Sequence, residues 1–202
     1  MQKKFSQIIS ILFHPLLIPS YFFLIVYNLK SYVSLLIPVQ AKTLIFSLVF
    51  ITTFLFPLLI ILIMKRRGVI NSLQMELKEE RVYPFIVTII FYFLAYYTLK
   101  KVQISEVYHL FLIGSTILVV FSLLINFISK ISIHMVGIGG LTGALTGISI
   151  RVNLEVVVLI SVFLLLAGII GYARLNLAAH RPIQIYVGFL FGFLFMIGIY
   201  LI

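Results

Sequence analysis

Residues 182–202 read PIQIYVGFLFGFLFMIGIYLI, a run without a single charged side chain. A helix of about 20 apolar residues is long enough to cross the hydrocarbon core of a bilayer. Runs of this kind recur along the whole chain. The sequence therefore predicts an all-α, integral membrane helical bundle with six or seven transmembrane helices.

The composition supports this class. Of the 202 residues, 63% are hydrophobic and 10% are charged, and the mean hydropathy is +1.25. A soluble domain carries roughly 25% charged residues. Few residues lie outside the apolar runs, so we expect a single transmembrane domain over 1–202. The chain has no cysteine, which excludes disulfides and thiolate chemistry.

The first apolar run contains His14 and Pro15, so we expect it to be kinked or partly re-entrant, which leaves the count at six or seven. His14 either lines a pocket or satisfies a backbone carbonyl that the kink frees, and we favour the second role. The predicted spans are approximately Ile8–Leu29, Thr43–Met64, Val82–Leu99, Val107–Ile128, Ser132–Ile150, Val156–Tyr172 and Pro182–Ile202.

Two further histidines stand at the water-facing ends of apolar spans. His134 ends the stretch Lys130-Ile-Ser-Ile-His, and His180 follows Arg174 after five residues. An ionisable residue at a membrane span is costly, so its default interpretation is functional. Two spans separate the histidines, which predicts that both lie on the same side of the membrane.

Small residues at a spacing of four occur in both spans that follow these histidines. The first has Gly139, Gly143 and Gly147, and the last span has Gly188 and Gly192. Such spacing lets helix backbones approach closely in lipid. We predict that the two spans pack together, so that the histidines face each other across a small polar pocket.

These residues resemble two signatures of the type 2 phosphatidic acid phosphatase family, Pro-Ser-Gly-His and Ser-Arg-x5-His-x3-Asp. The resemblance runs from about Gln74 to Gly192, and the Arg-x5-His-x3 spacing is its most specific part. Isoleucines replace the proline and glycine of the first of these two, and Ala173 and Gln184 replace the serine and aspartate of the second. The family's remaining signature, Lys-x6-Arg-Pro, is not matched; its nearest candidate is Lys78-Glu-Glu-Arg81.

The resemblance implies a membrane lipid phosphatase that works through a phosphohistidine. It assigns His180 as the nucleophile, His134 as the acid that protonates the leaving alcohol, and Arg174 as the clamp on the phosphate oxygens. Phosphoryl transfer needs cations around the equatorial oxygens, and an arginine fork binds such oxygens in pairs. We expect the further phosphate ligands to be Lys130, Ser132, Arg81 and Lys78.

Gln184 stands one turn after His180, where the family has a carboxylate. An amide oxygen can orient the imidazole, but it does not supply the charge that stabilises an imidazolium. The enzyme is then slow, recruits Glu76, Glu79 or Glu80 instead, or has lost catalysis.

No cofactor is implied, and five acidic residues that are all glutamate make a metal site unlikely. We expect an anionic lipid phosphate as substrate, membrane lipids as surroundings, no nucleic-acid partner, and an integral location in a bacterial inner (plasma) membrane. Two alternatives remain: a catalytically silent lipid-binding or scaffold protein on the same fold, and a small lipid or ion transporter.

Overall fold

The computed structural model describes residues 2–73, 75 and 77–202. It is 81% helical, with no strand among the described residues. Seven helical spans in this part of the chain are long and apolar enough to cross a membrane. The protein is an all-α integral membrane helical bundle, as predicted, with seven such spans among the described residues. The helices are α1 (Gln2–Leu12), α2 (Ile18–Asn28), α3 (Tyr32–Leu35), α4 (Val39–Phe50), α5 (Phe56–Arg66), α6 (Val82–Leu99), α7 (Glu106–Ile128), α8 (Ile133–Val152), α9 (Val157–Asn176) and α10 (Pro182–Leu201).

The predicted kink of the first span lies at His14. Helix α1 ends at Leu12, and a 3₁₀ turn over Pro15–Leu17 leads into α2. His14 has φ −64° and ψ 137°, because a following proline disfavours the helical conformation of the residue before it. Its ring Nδ1 accepts a hydrogen bond from Leu16 N at 3.3 Å. The expectation that His14 satisfies a freed carbonyl is therefore wrong: the ring caps a backbone N–H.

The helices form two compact units. The described residues of 1–18 and 124–202 make up the first unit, and residues 19–123 make up the second. The first unit contains α1, α8, α9 and α10. The single domain over 1–202 that the sequence favours stays a prediction.

In the first unit, α8 and α10 pack backbone against backbone. A Cβ added at Gly143 would overlap the carbonyl oxygen of Phe193, and one added at Gly192 would overlap that of Val136. The predicted pairing of these two spans is confirmed. Helix α8 is the central one. Of the residues in its most apolar stretch, 67% are buried, against 28% in the corresponding stretches of α9 and α10.

Helix α1 packs its polar face inward against α9. Ser6 and Ser10 are buried, whereas Phe5 and Ile8 are exposed. The Ser6 hydroxyl accepts a hydrogen bond from Asn176 Nδ2 at 2.9 Å. Serines four residues apart lie on one helix face, so α1 presents a polar stripe to the interior and an apolar surface outward.

The second unit is built around aromatic side chains. Phe22 of α2 stacks on Phe111 of α7, with ring centroids 3.7 Å apart, and Tyr108 packs against Phe23 at 5.1 Å. A π-helical turn over Ile51–Leu55 joins α4 to α5, so these two helices make one long span.

Candidate functional site

The five residues between Arg174 and His180 form a tight turn that ends α9. Ala178 N donates to Leu175 O at 2.8 Å, and Ala179 N donates to Arg174 O at 3.1 Å. These are the two hydrogen bonds of a Schellman motif, in which the residue after the C-cap adopts the left-handed conformation. Ala178 does so with φ 51°, although glycine is usual there. The turn fixes His180 relative to the last turn of α9.

The imidazole of His180 is oriented by Gln184 in the first turn of α10. His180 Nδ1 lies 3.3 Å from Gln184 Oε1. The same amide atom accepts a hydrogen bond from Arg181 N at 3.0 Å, so it is an oxygen rather than the amide nitrogen. An oxygen only accepts, and Nδ1 of His180 must therefore donate. In the neutral ring the lone pair is then on Nε2, the atom that a nucleophilic histidine needs.

His134 is buried in the first turn of α8 and is held by α1. Its Nε2 lies 3.1 Å from the carbonyl oxygen of Ser10. A carbonyl oxygen can only accept, so Nε2 donates, and the lone pair of the neutral ring is on Nδ1. This Nδ1 is buried and has no hydrogen-bond partner among the residues that the structure describes.

Ser132 links the two histidine motifs. Its backbone N–H donates to the carbonyl oxygen of Gln184 at 3.4 Å, which brings the start of α8 next to the start of α10. Its hydroxyl does not cap α8 and, within the described part of the chain, meets no partner although it is fully buried. An unsatisfied buried polar group costs about 1–3 kcal/mol. Two such atoms in the first turn of α8, Ser132 Oγ and His134 Nδ1, are available to a polar ligand.

Arg174 brings positive charge to the same place. One of its terminal guanidinium nitrogens donates to the Ser10 hydroxyl at 3.3 Å. The side chain is half-buried and interacts electrostatically with both His14 and His134. His180 also interacts electrostatically with His134. The first unit therefore gathers Arg174 and three histidines within electrostatic reach.

The hydrogen bond expected of His14 from the sequence is not the one that it makes, and its ring also belongs to this group. Its ring lies edge-on to that of His134, with centroids 5.6 Å apart and planes at 79°. The signal was available in the sequence, because Ser6, Ser10 and His14 recur at a spacing of four in a mostly apolar run. That spacing places all three on one face of a helix.

The remaining predicted ligands are Lys130, Arg81 and Lys78. Lys130 is half-buried in the loop before α8. Arg81 and Lys78 belong to the second unit, where Arg81 Nε donates to Met75 O at 2.9 Å. Their role as phosphate ligands stays a prediction.

Two of the glutamates considered as substitutes for the missing aspartate, Glu79 and Glu80, also belong to that unit. Glu80 accepts hydrogen bonds from the backbone and side chain of Asn71, and Glu79 is exposed. Glu76 lies outside the described residues. His180 Nδ1 donates its hydrogen bond to the amide oxygen of Gln184 instead.

The described residues provide no set of ligands for a metal ion. Across residues 2–73, 75 and 77–202, no group of three or more histidine, cysteine, aspartate or glutamate side chains is arranged to hold a metal ion. The site consists instead of imidazoles, a guanidinium and a hydroxyl, which are groups that bind and transfer oxyanions.

Comparison with protein-family models, with curated proteins and with solved structures found no match.

Proposed function

We propose that the protein is a membrane lipid phosphatase that hydrolyses a phosphate or diphosphate head group through a phosphohistidine. The observation that carries the proposal is the convergence of His180, His134 and Arg174 in one unit, with the His180 tautomer set by Gln184. A nucleophile, an acid and a cation are the groups that such a reaction needs.

In the first half of the reaction, Nε2 of His180 attacks phosphorus and forms a P–N bond. The P–O bond to the lipid breaks, and the leaving oxygen takes a proton from Nδ1 of a protonated His134. Nδ1 of His134 suits this task because Ser10 occupies Nε2. Gln184 holds the proton of His180 Nδ1, so the ring stays oriented throughout the attack.

In the second half, water attacks the phosphorus of the phosphohistidine and gives a proton to Nδ1 of His134. The P–N bond breaks, inorganic phosphate leaves, and His180 regains its lone pair. Arg174 balances the charge of the equatorial oxygens in both steps, and the hydroxyl of Ser132 donates to one of them. From the sequence we add Lys130, Lys78 and Arg81 as further phosphate ligands.

The substrate class follows from the surroundings of the site. The inner side of α1 carries Ser6 and Ser10, and His14 lies in the turn that follows, whereas Phe5, Ile8 and Ile11 of the helix are exposed. A polar site one helix away from an apolar surface suits an amphiphile whose phosphate enters the bundle while its chains stay in lipid. We therefore propose a lipid phosphate in a bacterial inner membrane as the substrate.

A second candidate is a silent lipid-phosphate binder on the same fold. One observation favours it: Gln184 Oε1 also accepts the hydrogen bond of Arg181 N, which is the task of a helix-capping side chain. A residue retained only for capping need not support catalysis, and an amide supplies no charge to an imidazolium.

Phosphate release separates the two candidates. Purified protein in lipid nanodiscs is incubated with phosphatidate, phosphatidylglycerol phosphate and undecaprenyl diphosphate in turn. We expect the wild type to release phosphate from at least one of them, and His180→Ala to lower kcat by at least about 10³-fold. His109→Ala is the matched control, because the mechanism gives this histidine no role and its Nε2 contacts Leu99 O.

Each outcome of this assay is informative. Wild-type activity in His180→Ala would refute the phosphatase mechanism. Tight binding of the same lipids without any phosphate release would favour the silent binder.

A further inference from the structure

The tautomer of His14 is fixed by its own backbone. Its Nδ1 accepts the N–H of Leu16, so the neutral ring carries its proton on Nε2. Since a cap uses only one ring nitrogen, this leaves an N–H donor on the other side of the imidazole.

The ring of His134 is complementary to that of His14. His134 donates through Nε2 to Ser10 O and keeps a lone pair on Nδ1, which is buried and has no partner in the described residues. The two ring centroids lie 5.6 Å apart, so the rings are direct neighbours. The guanidinium of Arg174 interacts electrostatically with both.

Capping alone does not account for a histidine here. Serine, threonine, asparagine and aspartate are the usual residues for accepting an N–H at the start of a helix. An imidazole offers a second nitrogen, and in an apolar span an ionisable side chain is costly unless it has a task. The second nitrogen is therefore the part of His14 that needs explaining.

We propose that His14 is a substrate-contacting residue whose Nε2–H donates a hydrogen bond to an oxygen of the phosphate group, beside His134 Nδ1 and Arg174. This inference rests on the proposed function for the nature of the anion. It makes the first span a part of the site, because α1 supplies both the Ser10 carbonyl that orients His134 and, with the turn that follows, the His14 donor.

Two substitutions separate the donor from the cap. In His14→Asn, the side-chain oxygen stands where Nδ1 stood and can accept the N–H of Leu16, but nothing replaces Nε2. In His14→Gln, the side-chain amide reaches the position of Nε2 and can donate there, but the cap is lost. Each variant thus keeps one of the two functions.

The probe is inorganic phosphate, whose dissociation constant is measured on the full chain in nanodiscs, beside the melting temperature. We expect His14→Asn to melt near the wild type and to bind phosphate roughly 10–100-fold more weakly, the loss of one hydrogen bond to a charged group. We expect His14→Gln to melt lower and to bind within a few-fold of the wild type. In turnover, His14→Asn raises KM more than it lowers kcat.

The reverse pattern would overturn the proposal, since phosphate binding that survives in His14→Asn and fails in His14→Gln would make His14 a cap only. Unchanged binding in both variants would overturn it as well. Should neither variant fold, ¹⁵N-histidine labelling of the wild type provides the test, because the chain has 4 histidines. Phosphate must then shift the Nε2 resonance of His14, and an unmoved resonance would refute the contact.

The binding measurement does not depend on turnover. A protein that binds phosphate through His14 but releases none from lipids would refute the proposed function and leave this contact standing.

Discussion

At the scale of single residues, the decisive feature is which ring nitrogen of each site histidine carries the proton in the neutral form. Backbone groups fix the tautomer of two of the three rings. The carbonyl oxygen of Ser10 accepts a hydrogen bond from Nε2 of His134, and Leu16 N donates one to Nδ1 of His14. The amide oxygen of Gln184 fixes the tautomer of the third ring, that of His180. None of these partners is a carboxylate, so the rings are oriented without being given a counter-charge.

Restoring a carboxylate at Gln184 should raise turnover. In Gln184→Glu, the carboxylate can still accept the N–H groups of His180 and Arg181, and it adds a charge that stabilises the imidazolium. We expect kcat to rise about tenfold, a small part of the roughly 10⁴-fold that the opposite change costs in a serine protease triad. The measurement is steady-state phosphate release. Gln184→Leu is the control, because leucine neither accepts these hydrogen bonds nor supplies a charge, and we expect it to lower kcat.

A Gln184→Glu enzyme with unchanged kcat would show that this position caps α10 and has no part in the chemistry. A fall in kcat at an unchanged melting temperature would show that a charge beside His180 opposes the reaction.

At the scale of elements, the spans were predictable and the detailed role of the first one was not. A run of about 20 apolar residues specifies a membrane helix without reference to the rest of the chain. The spacing of four between Gly139 and Gly143, and between Gly188 and Gly192, specifies close packing in the same local way. The contact between Ser10 and His134 joins residues 124 positions apart, and no local pattern in the sequence encodes that distance.

The α8–α10 contact is expected to be intolerant of a single methyl group. In Gly143→Ala, the new Cβ would overlap the carbonyl oxygen of Phe193, and backbone cannot move aside cheaply. We expect a loss of about 1–3 kcal/mol of stability, measured as a lowered melting temperature in detergent, together with weaker phosphate binding, since the two helices carry His134 and Gln184.

Gly168→Ala in α9 is the matched control. Its Cβ would meet nothing within 4 Å, and alanine is the better helix former by roughly 1 kcal/mol. We therefore expect an unchanged or higher melting temperature for this variant. Equal effects of the two substitutions would mean that close packing at Gly143 does not hold α8 and α10 together.

At the scale of the whole molecule, the first unit combines both ends of the sequence. Residues up to 18 pack with residues from 124 onward, so the site is assembled from α1, α8, α9 and α10. The sequence motifs covered three of these helices and missed α1, because the only hint there is a sparse polar spacing in an apolar run. The predicted ligands Lys78 and Arg81 belong to the second unit. Substituting them tests whether they contribute to phosphate binding.

The central claim is that His180 carries the phosphoryl group between the lipid and water. The most direct test is to mix the enzyme with a lipid phosphate labelled with ³²P in its head group, quench within the first turnover, and locate the label. We expect acid-labile, base-stable label on His180, absent from His180→Ala. In His134→Ala, which lacks both the acid and the group that activates water, the label should form and decay more slowly. Phosphate release without any labelled enzyme, or label on another residue, would contradict it.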